Sequence, residues 1–139
     1  MILKKMNALY SSLLVFVLIT SLNACNNNHD TENIDLLVRD YFAALQDNDI
    51  DKVMGFYSPE FFNTRSPEQW RETLTDLVQQ NGKITKVLLI NKQADTRFSG
   101  KFFIYQYYTV HAQKRFKHIL TWVHSVDDNQ VKLVGHMIK

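Results

Sequence analysis

The sequence predicts an α+β domain in which three N-terminal helices pack on a curved four-stranded antiparallel sheet. Three observations predict it. Up to Gly82 the apolar residues recur at helical spacing. After Gly82, four stretches rich in β-branched and aromatic residues follow one another. The connections between those stretches are too short for anything but antiparallel neighbours, which makes the sheet a meander with the helices gathered on one face.

The first helix is read from Glu32, with Ile34, Leu37, Val38, Tyr41 and Leu45 on one face and an end near Gln46 to Asn48. A second, short helix follows, capped by Asp49, with Ile50, Val53, Met54 and Tyr57 as its apolar stripe, and Pro59 stops it. Phe61 and Phe62 then fall in a loop and read as plugs on the core. Ser66-Pro67-Glu68-Gln69 carries a hydroxyl cap, proline at the first helical position and glutamine three residues after the cap. Trp70, Leu74, Leu77 and Val78 give this third helix its buried face, and Asn81-Gly82 ends it.

Strands are expected at Ile84–Thr96, Lys101–Ala112, Arg115–Val126 and Gln130–Ile138. A turn at Gln113-Lys114 would set Thr109 opposite His118, Tyr107 opposite Leu120, Tyr105 opposite Trp122 and Phe103 opposite His124. A turn at Asp128-Asn129 would set Trp122 opposite Gly135. Regular alternation then places Tyr105, His118, Trp122, Leu133 and Met137 on one face, and Phe102, Ile104, Val123, Val134 and His136 on the other. Both faces are largely apolar. A sheet covered on one side should alternate apolar with polar, so something is expected to cover part of the second face as well, such as a twin subunit.

The start of the chain has a different character. Lys4 and Lys5 precede an apolar run, Leu13 to Ile19, too short to span a bilayer, and Leu22-Asn23-Ala24-Cys25 follows. This layout resembles a bacterial lipoprotein signal and lipobox, although Asn23 stands where a small or hydroxyl side chain is usual. The resemblance implies a signal peptide over residues 1–24, with Cys25 acylated as the first residue of the mature protein. It also implies a place in the cell envelope, lipid-anchored to a membrane. Asn26 is not the Asp associated with inner-membrane retention, so the address expected is the outer membrane, facing the periplasm. A secreted soluble protein with one leftover thiol is the alternative. Residues 25–31, polar and without periodicity, read as a tether, and residues 32–139 as the domain.

Composition limits the functions available. The 16 basic and 14 acidic residues become 14 of each once residues 1–24 are removed. Such a balance offers no electrostatic footprint for nucleic acid. Cys25 is the only cysteine, so no internal disulfide is expected and the fold must stand on its core.

Within the domain, several segments together resemble the nuclear transport factor 2-like superfamily, also called SnoaL-like or cystatin-like. They are Tyr41-Phe42 with Leu45, the break at Asn48-Asp49, Phe56-Tyr57-Ser58-Pro59-Glu60-Phe61, and Val131-Lys132-Leu133-Val134-Gly135-His136. The similarity covers Glu32 to Lys139 and implies a cone-shaped fold. It is closest to envelope-lipoprotein branches whose closing strand ends in Gly-aromatic, with His136 in place of the aromatic. The superfamily includes ketosteroid isomerase-like and dehydratase enzymes as well as non-catalytic binding and dimerisation domains.

Candidate chemistry divides along those lines. An isomerase-type site needs a base in the cone and a hydrogen-bond donor for the developing oxyanion. Tyr41, Tyr57, Tyr105 and His118 could supply it, with Trp70 and Trp122 among the pocket-lining residues. The same side chains serve equally as core rings, and no catalytic residue is assigned. His118 and His124, six residues apart, stand about 20 Å from each other along a strand at roughly 3.3 Å per residue. They cannot share a metal whose bonds to imidazole are about 2 Å, and no metal or other cofactor is expected. The function expected is a non-catalytic binding or dimerisation module. Its partners would be the membrane through the anchor, a second copy, and a small apolar ligand or an envelope protein.

Overall fold

The computed structural model describes residues 27–112 and 114–139. The chain divides into two compact units, Met1–Glu32 and Asn33–Lys139, and the domain lies in the second. The signal peptide and Cys25 lie outside the described residues. In chain order the elements are α1 (Asn27–Gln46), α2 (Ile50–Met54), a 3-10 helix (Pro59–Asn63), α3 (Pro67–Asn81), β1 (Lys86–Arg97), β2 (Gly100–Val110), β3 (Arg115–Ser125) and β4 (Val131–Ile138). The four strands form one antiparallel meander in the order β1-β2-β3-β4.

Each helix starts and stops for a local reason. On α1, Ile34, Val38, Tyr41, Phe42 and Leu45 are buried, as the spacing demands. The helix begins at Asn27 and not at Glu32, so Asn27 to Thr31, expected in the tether, are helical. A helix held by a packed face extends into polar residues at little cost, and Asp30 in its first turn suits the positive end of the helix dipole. Asn48 then takes a left-handed φ of 57° between α1 and α2, and Asp49 caps α2 by accepting from Lys52 N at 3.1 Å. Ser66 caps α3 by accepting from Gln69 N at 3.4 Å, with Pro67 at the first position. Phe61 and Phe62 sit in the 3-10 helix, where Phe61 is buried and Phe62 packs against the core.

The sheet register differs from the expected one at both later hairpins. The β2–β3 hairpin closes with His111 N donating to Lys114 O at 2.8 Å, and Gln113 of the expected turn lies outside the described residues. Tyr107 therefore faces His118, Tyr105 faces Leu120, Phe103 faces Trp122, and Thr109 faces Phe116. The displacement is two residues, so every side chain keeps its face. It pairs Phe103 with Trp122 in the core and sends His124 to the end of the sheet, where it meets Asn129 Oδ1 at 2.9 Å.

The β3–β4 pairing differs in a more consequential way. Thr121 faces Gly135 while Trp122 faces Leu133, so Val134 is an extra residue, a β-bulge. Without it, Leu133 inside would put Met137 inside and His136 outside, the arrangement expected from alternation. The bulge reverses that order: Met137 is 46% exposed and His136 only 3%. Gly135 permits the close approach, since a Cβ there would stand 3.2 Å from the Thr121 Cβ. The strand is held from the other side too, because Leu133 N donates to Phe56 O and Leu133 O accepts from Ser58 N, each at 3.0 Å. That bridge sets Tyr57 beside β4.

The helices cover one face of the sheet. Tyr41 meets Trp122 edge-on at 6.4 Å, and Phe42 meets Tyr107 at 4.9 Å and His118 at 5.6 Å. Phe103, Tyr105, Leu120, Trp122 and Leu133 complete this core from the strand side. On the opposite face, Phe102, Ile104, Ile119, Val123 and Val134 are only half-buried.

Candidate functional site

Six side chains at the centre of the domain form one continuous hydrogen-bonded chain that ends on a backbone carbonyl. Its parts come from α1, the segment after α2, β2, β3, β4 and the end of α3. Tyr41 Oη lies 3.1 Å from Tyr57 Oη, and Tyr57 Oη lies 2.7 Å from His136 Nδ1. His136 Nε2 is 3.0 Å from His118 Nδ1, and His118 Nε2 is 3.0 Å from Thr109 Oγ1. Thr109 Oγ1 is in turn 3.2 Å from His111 Nε2, and His111 Nδ1 ends the chain at Gly82 O, 2.7 Å away. All of these side chains are buried.

The far end decides where the protons sit. A carbonyl can only accept, so His111 Nδ1 donates to Gly82, and in the uncharged chain His111 Nε2 accepts. Thr109 must then donate to His111 and accept from His118 Nε2. That leaves His118 Nδ1 to accept from His136 Nε2, and His136 Nδ1 to accept from Tyr57, which accepts from Tyr41. One backbone oxygen thus orders the tautomers of three imidazoles and the direction of the Thr109 hydroxyl, while Tyr41 Oη also lies 3.3 Å from His136 Nδ1. Gly82 can present it because its φ of 78°, which ends α3, is readily open to glycine alone.

Burial governs the charges. It pushes His118 down to about 3, with the nearby His111 adding to the effect, and holds His136 well below the usual histidine range, helped by His118 and Arg65. Burial likewise raises the hydroxyls of Tyr41 and Tyr57 well above the usual tyrosine value. Burial therefore keeps His118, His136, Tyr41 and Tyr57 uncharged, and each is bonded to its neighbour in the chain. Aromatic rings seal it: Trp70 packs edge-on to His136 at 5.3 Å, and Trp122 packs on Tyr41. Arg65 lies 4.9 Å from the rings of both Phe61 and Trp70, and its Nη1 donates to His136 O at 3.1 Å. The indole N–H groups of Trp70 and Trp122 are buried and find no acceptor among the described residues.

Of the pocket-lining residues expected from the sequence, Tyr41, Tyr57, Trp70, His118 and Trp122 come together here. Tyr105 does not join them. Its hydroxyl donates to Asp35 Oδ1 at 2.6 Å, and Lys92 Nζ meets the same carboxylate at 3.0 Å, which pins α1 to β1 and β2. Burial, followed by that hydrogen bond and the negative charge, raises the Tyr105 hydroxyl. Three members of the chain were not expected: Thr109, His111 and His136. For His136 the available signal was Gly135, since glycine within a strand often marks a bulge.

A separate hollow of about 320 Å³ opens on the other side of the sheet. Phe102, Val123 and Val134 floor it, with Glu60, Asp127, Asp128 and Lys132 around them. Among the described residues no cluster of three or more His, Cys, Asp or Glu side chains could hold a metal ion. Nor is any described helix long and apolar enough to cross a membrane.

No family model matches the chain, and no curated protein does. A solved structure from Bdellovibrio bacteriovorus, that of Bd1075, is similar to it with a TM-score of 0.60 and 17% identity. The match covers 82% of this chain and 42% of that one, so the chain spans less than half the length of its structural neighbour. At that identity the likeness speaks to the fold alone.

Two outcomes are expected of the hydrogen-bonded chain. Thr109→Val keeps the shape but strands two imidazole nitrogens, and urea unfolding should show a loss of about 2 kcal/mol or more. Thr109→Ser, which keeps the hydroxyl, should cost about half as much. The second outcome is a pH dependence. His118 and His136 have depressed folded values, so below an unfolded value of about 6.5 the unfolded chain binds more protons than the folded one. Their contribution is complete above that pH and drains away as pH falls, by about 2 kcal/mol for each histidine at pH 5. Unfolding free energies that stay flat between pH 7 and pH 5 would contradict a neutral buried pair.

Proposed function

We propose that this chain is an envelope lipoprotein, acylated at Cys25, whose domain is a non-catalytic binding or dimerisation module of the nuclear transport factor 2-like kind. One observation carries the reading of the domain. The sheet face turned away from the helices bears Phe102, Ile104, Ile119, Val123 and Val134, all half-buried, in strands whose other face already lines the core. A solvated sheet face ordinarily carries polar residues, so an apolar one favours a surface that is covered in use. The anchor reading rests on Lys4, Lys5, the apolar run and Ala24-Cys25, and two or more acyl chains make such attachment stable. It favours the outer membrane, facing the periplasm. The cone-shaped reading is supported by the three helices on one face of a four-stranded meander.

The competing reading is a small-molecule enzyme of ketosteroid isomerase or dehydratase type. What favours it is the 2.7 Å contact of Tyr57 with His136, which sets a hydroxyl donor against a base. Against it, the polar atoms that would turn to a substrate are bonded to one another, and each would have to be released first.

Native mass spectrometry of the full chain from its own envelope, in mild detergent, separates the two. The module reading expects a dimer of chains that begin at an acylated Cys25, with no small molecule bound. A mass excess that disappears on denaturation would favour the pocket instead. Cys25→Ser should abolish the acyl mass and release the protein from the membrane fraction.

A further inference from the structure

The open face is not electrically uniform, and its charge pattern names an occupant. Resting on the reading of that face as an interface, we infer that it pairs with the same face of a second copy, about a two-fold axis that crosses the strands. At one end of the outer face stand Lys86, Arg115, Lys117 and Lys139. The register joins them: Lys86 faces Val110, Val110 faces Arg115, and Lys117 and Lys139 exchange both backbone hydrogen bonds, at 2.8 and 2.9 Å. None of the four takes part in an ion pair among the described residues. At the other end the hollow floored by Phe102, Val123 and Val134 is rimmed by Glu60, Asp127 and Asp128, with Lys132 the cation among them. Asp128 lies close enough to oppose the hydrogen bonds, from its own backbone N–H and from Ser58, that hold the Glu60 carboxyl below its usual range. Asp95 and Arg97, also at that end, cancel each other at 2.8 Å.

The two poles are separated by the length of β3, about 35 Å at roughly 3.4 Å per residue, several times a Debye length of about 8 Å. They act as independent charges of opposite sign. Two copies packed face to face can be related by an axis along the strands or by one across them. An axis along the strands lays the four cations of one copy on the four cations of the other. An axis across them lays each basic pole on an acidic one, twice, by symmetry. In chain order Thr121 lies midway between Arg115 and Asp127. With the axis near Thr121 and its small neighbour Gly135, Ile119 of one copy meets Val123 of the other. Arg115 is already held over the outer face, its guanidinium 4.9 Å from the ring of Tyr108, and reaches the acidic rim of the second copy across a gap of about 10 Å between sheets.

Charge reversal tests this on the full chain in mild detergent, with dimer dissociation measured by analytical ultracentrifugation and heterodimers read by native mass spectrometry. Arg115→Glu with Lys117→Glu, and separately Asp127→Lys with Asp128→Lys, should each weaken the dimer by at least about tenfold, since like charges then meet at both poles. An equimolar mixture of the two variants should restore wild-type affinity as a heterodimer, because both poles are again complementary. Raising salt should weaken the wild-type dimer in the same direction. These substitutions are on the surface, and an unchanged near-ultraviolet circular dichroism spectrum checks the fold. Variants that dimerise like wild type, or a mixture that restores nothing, would overturn the pairing. Val123→Asp tells that failure from failure of the face itself. If it alone dissociates the dimer, the face stands and the axis is wrong. A monomeric wild type, or a Val123→Asp chain that stays dimeric and folded, sinks both.

Discussion

The domain depends on a buried hydrogen-bonded chain that starts from one backbone oxygen. Gly82 O, at the end of α3, accepts from His111, and from that bond the order passes through Thr109, His118 and His136 to Tyr57 and Tyr41. A buried polar group left without a partner costs about 1–3 kcal/mol. A chain of this kind is therefore stabilising only when complete, and it ties every layer of the domain to one arrangement. α1 supplies Tyr41, the segment after α2 supplies Tyr57, β2, β3 and β4 supply Thr109, His118 and His136, the connection after β2 supplies His111, and the end of α3 supplies the terminus.

The β-bulge at Val134 is what makes the chain complete. It turns His136 inward, so that one imidazole bridges Tyr57 and His118, and it turns Met137 out toward the open face. A single extra residue in β4 thus shapes both sides of the sheet. On the inner side it closes the polar network. On the outer side it adds an apolar group to a surface that already carries Ile119 and Val123.

Much of this was legible in the sequence where the cause is local. Asp49, Ser66-Pro67 and Asn81-Gly82 each carry their own capping or terminating chemistry, and each does in the structure what its residue type dictates. The grouping of Tyr41, Tyr57, Trp70, His118 and Trp122 was also legible, since periodicity alone puts them on inward faces. The bond of Tyr105 to Asp35 was not legible, because Asp35 lies 70 residues away on α1 and no spacing announces it. The register of the β2–β3 hairpin was out of reach because Gln113-Lys114 carries no turn signal. The inward turn of His136 required knowing that β4 holds one residue too many, and only Gly135 hinted at it. Thr109 was overlooked for a simpler reason: a small hydroxyl between two histidines looks like any strand residue until the chain it joins is seen.

The most direct test is the protonation state of each imidazole nitrogen, read at neutral pH from long-range proton–nitrogen correlation spectra of the ¹⁵N-histidine-labelled protein. The hydrogen-bonded chain requires His111 to carry a proton on Nδ1, and His118 and His136, both uncharged, to carry theirs on Nε2. Finding His118 or His136 charged, or protonated on Nδ1, would mean that the chain does not run from Tyr41 to Gly82, and the account of the core would fail with it.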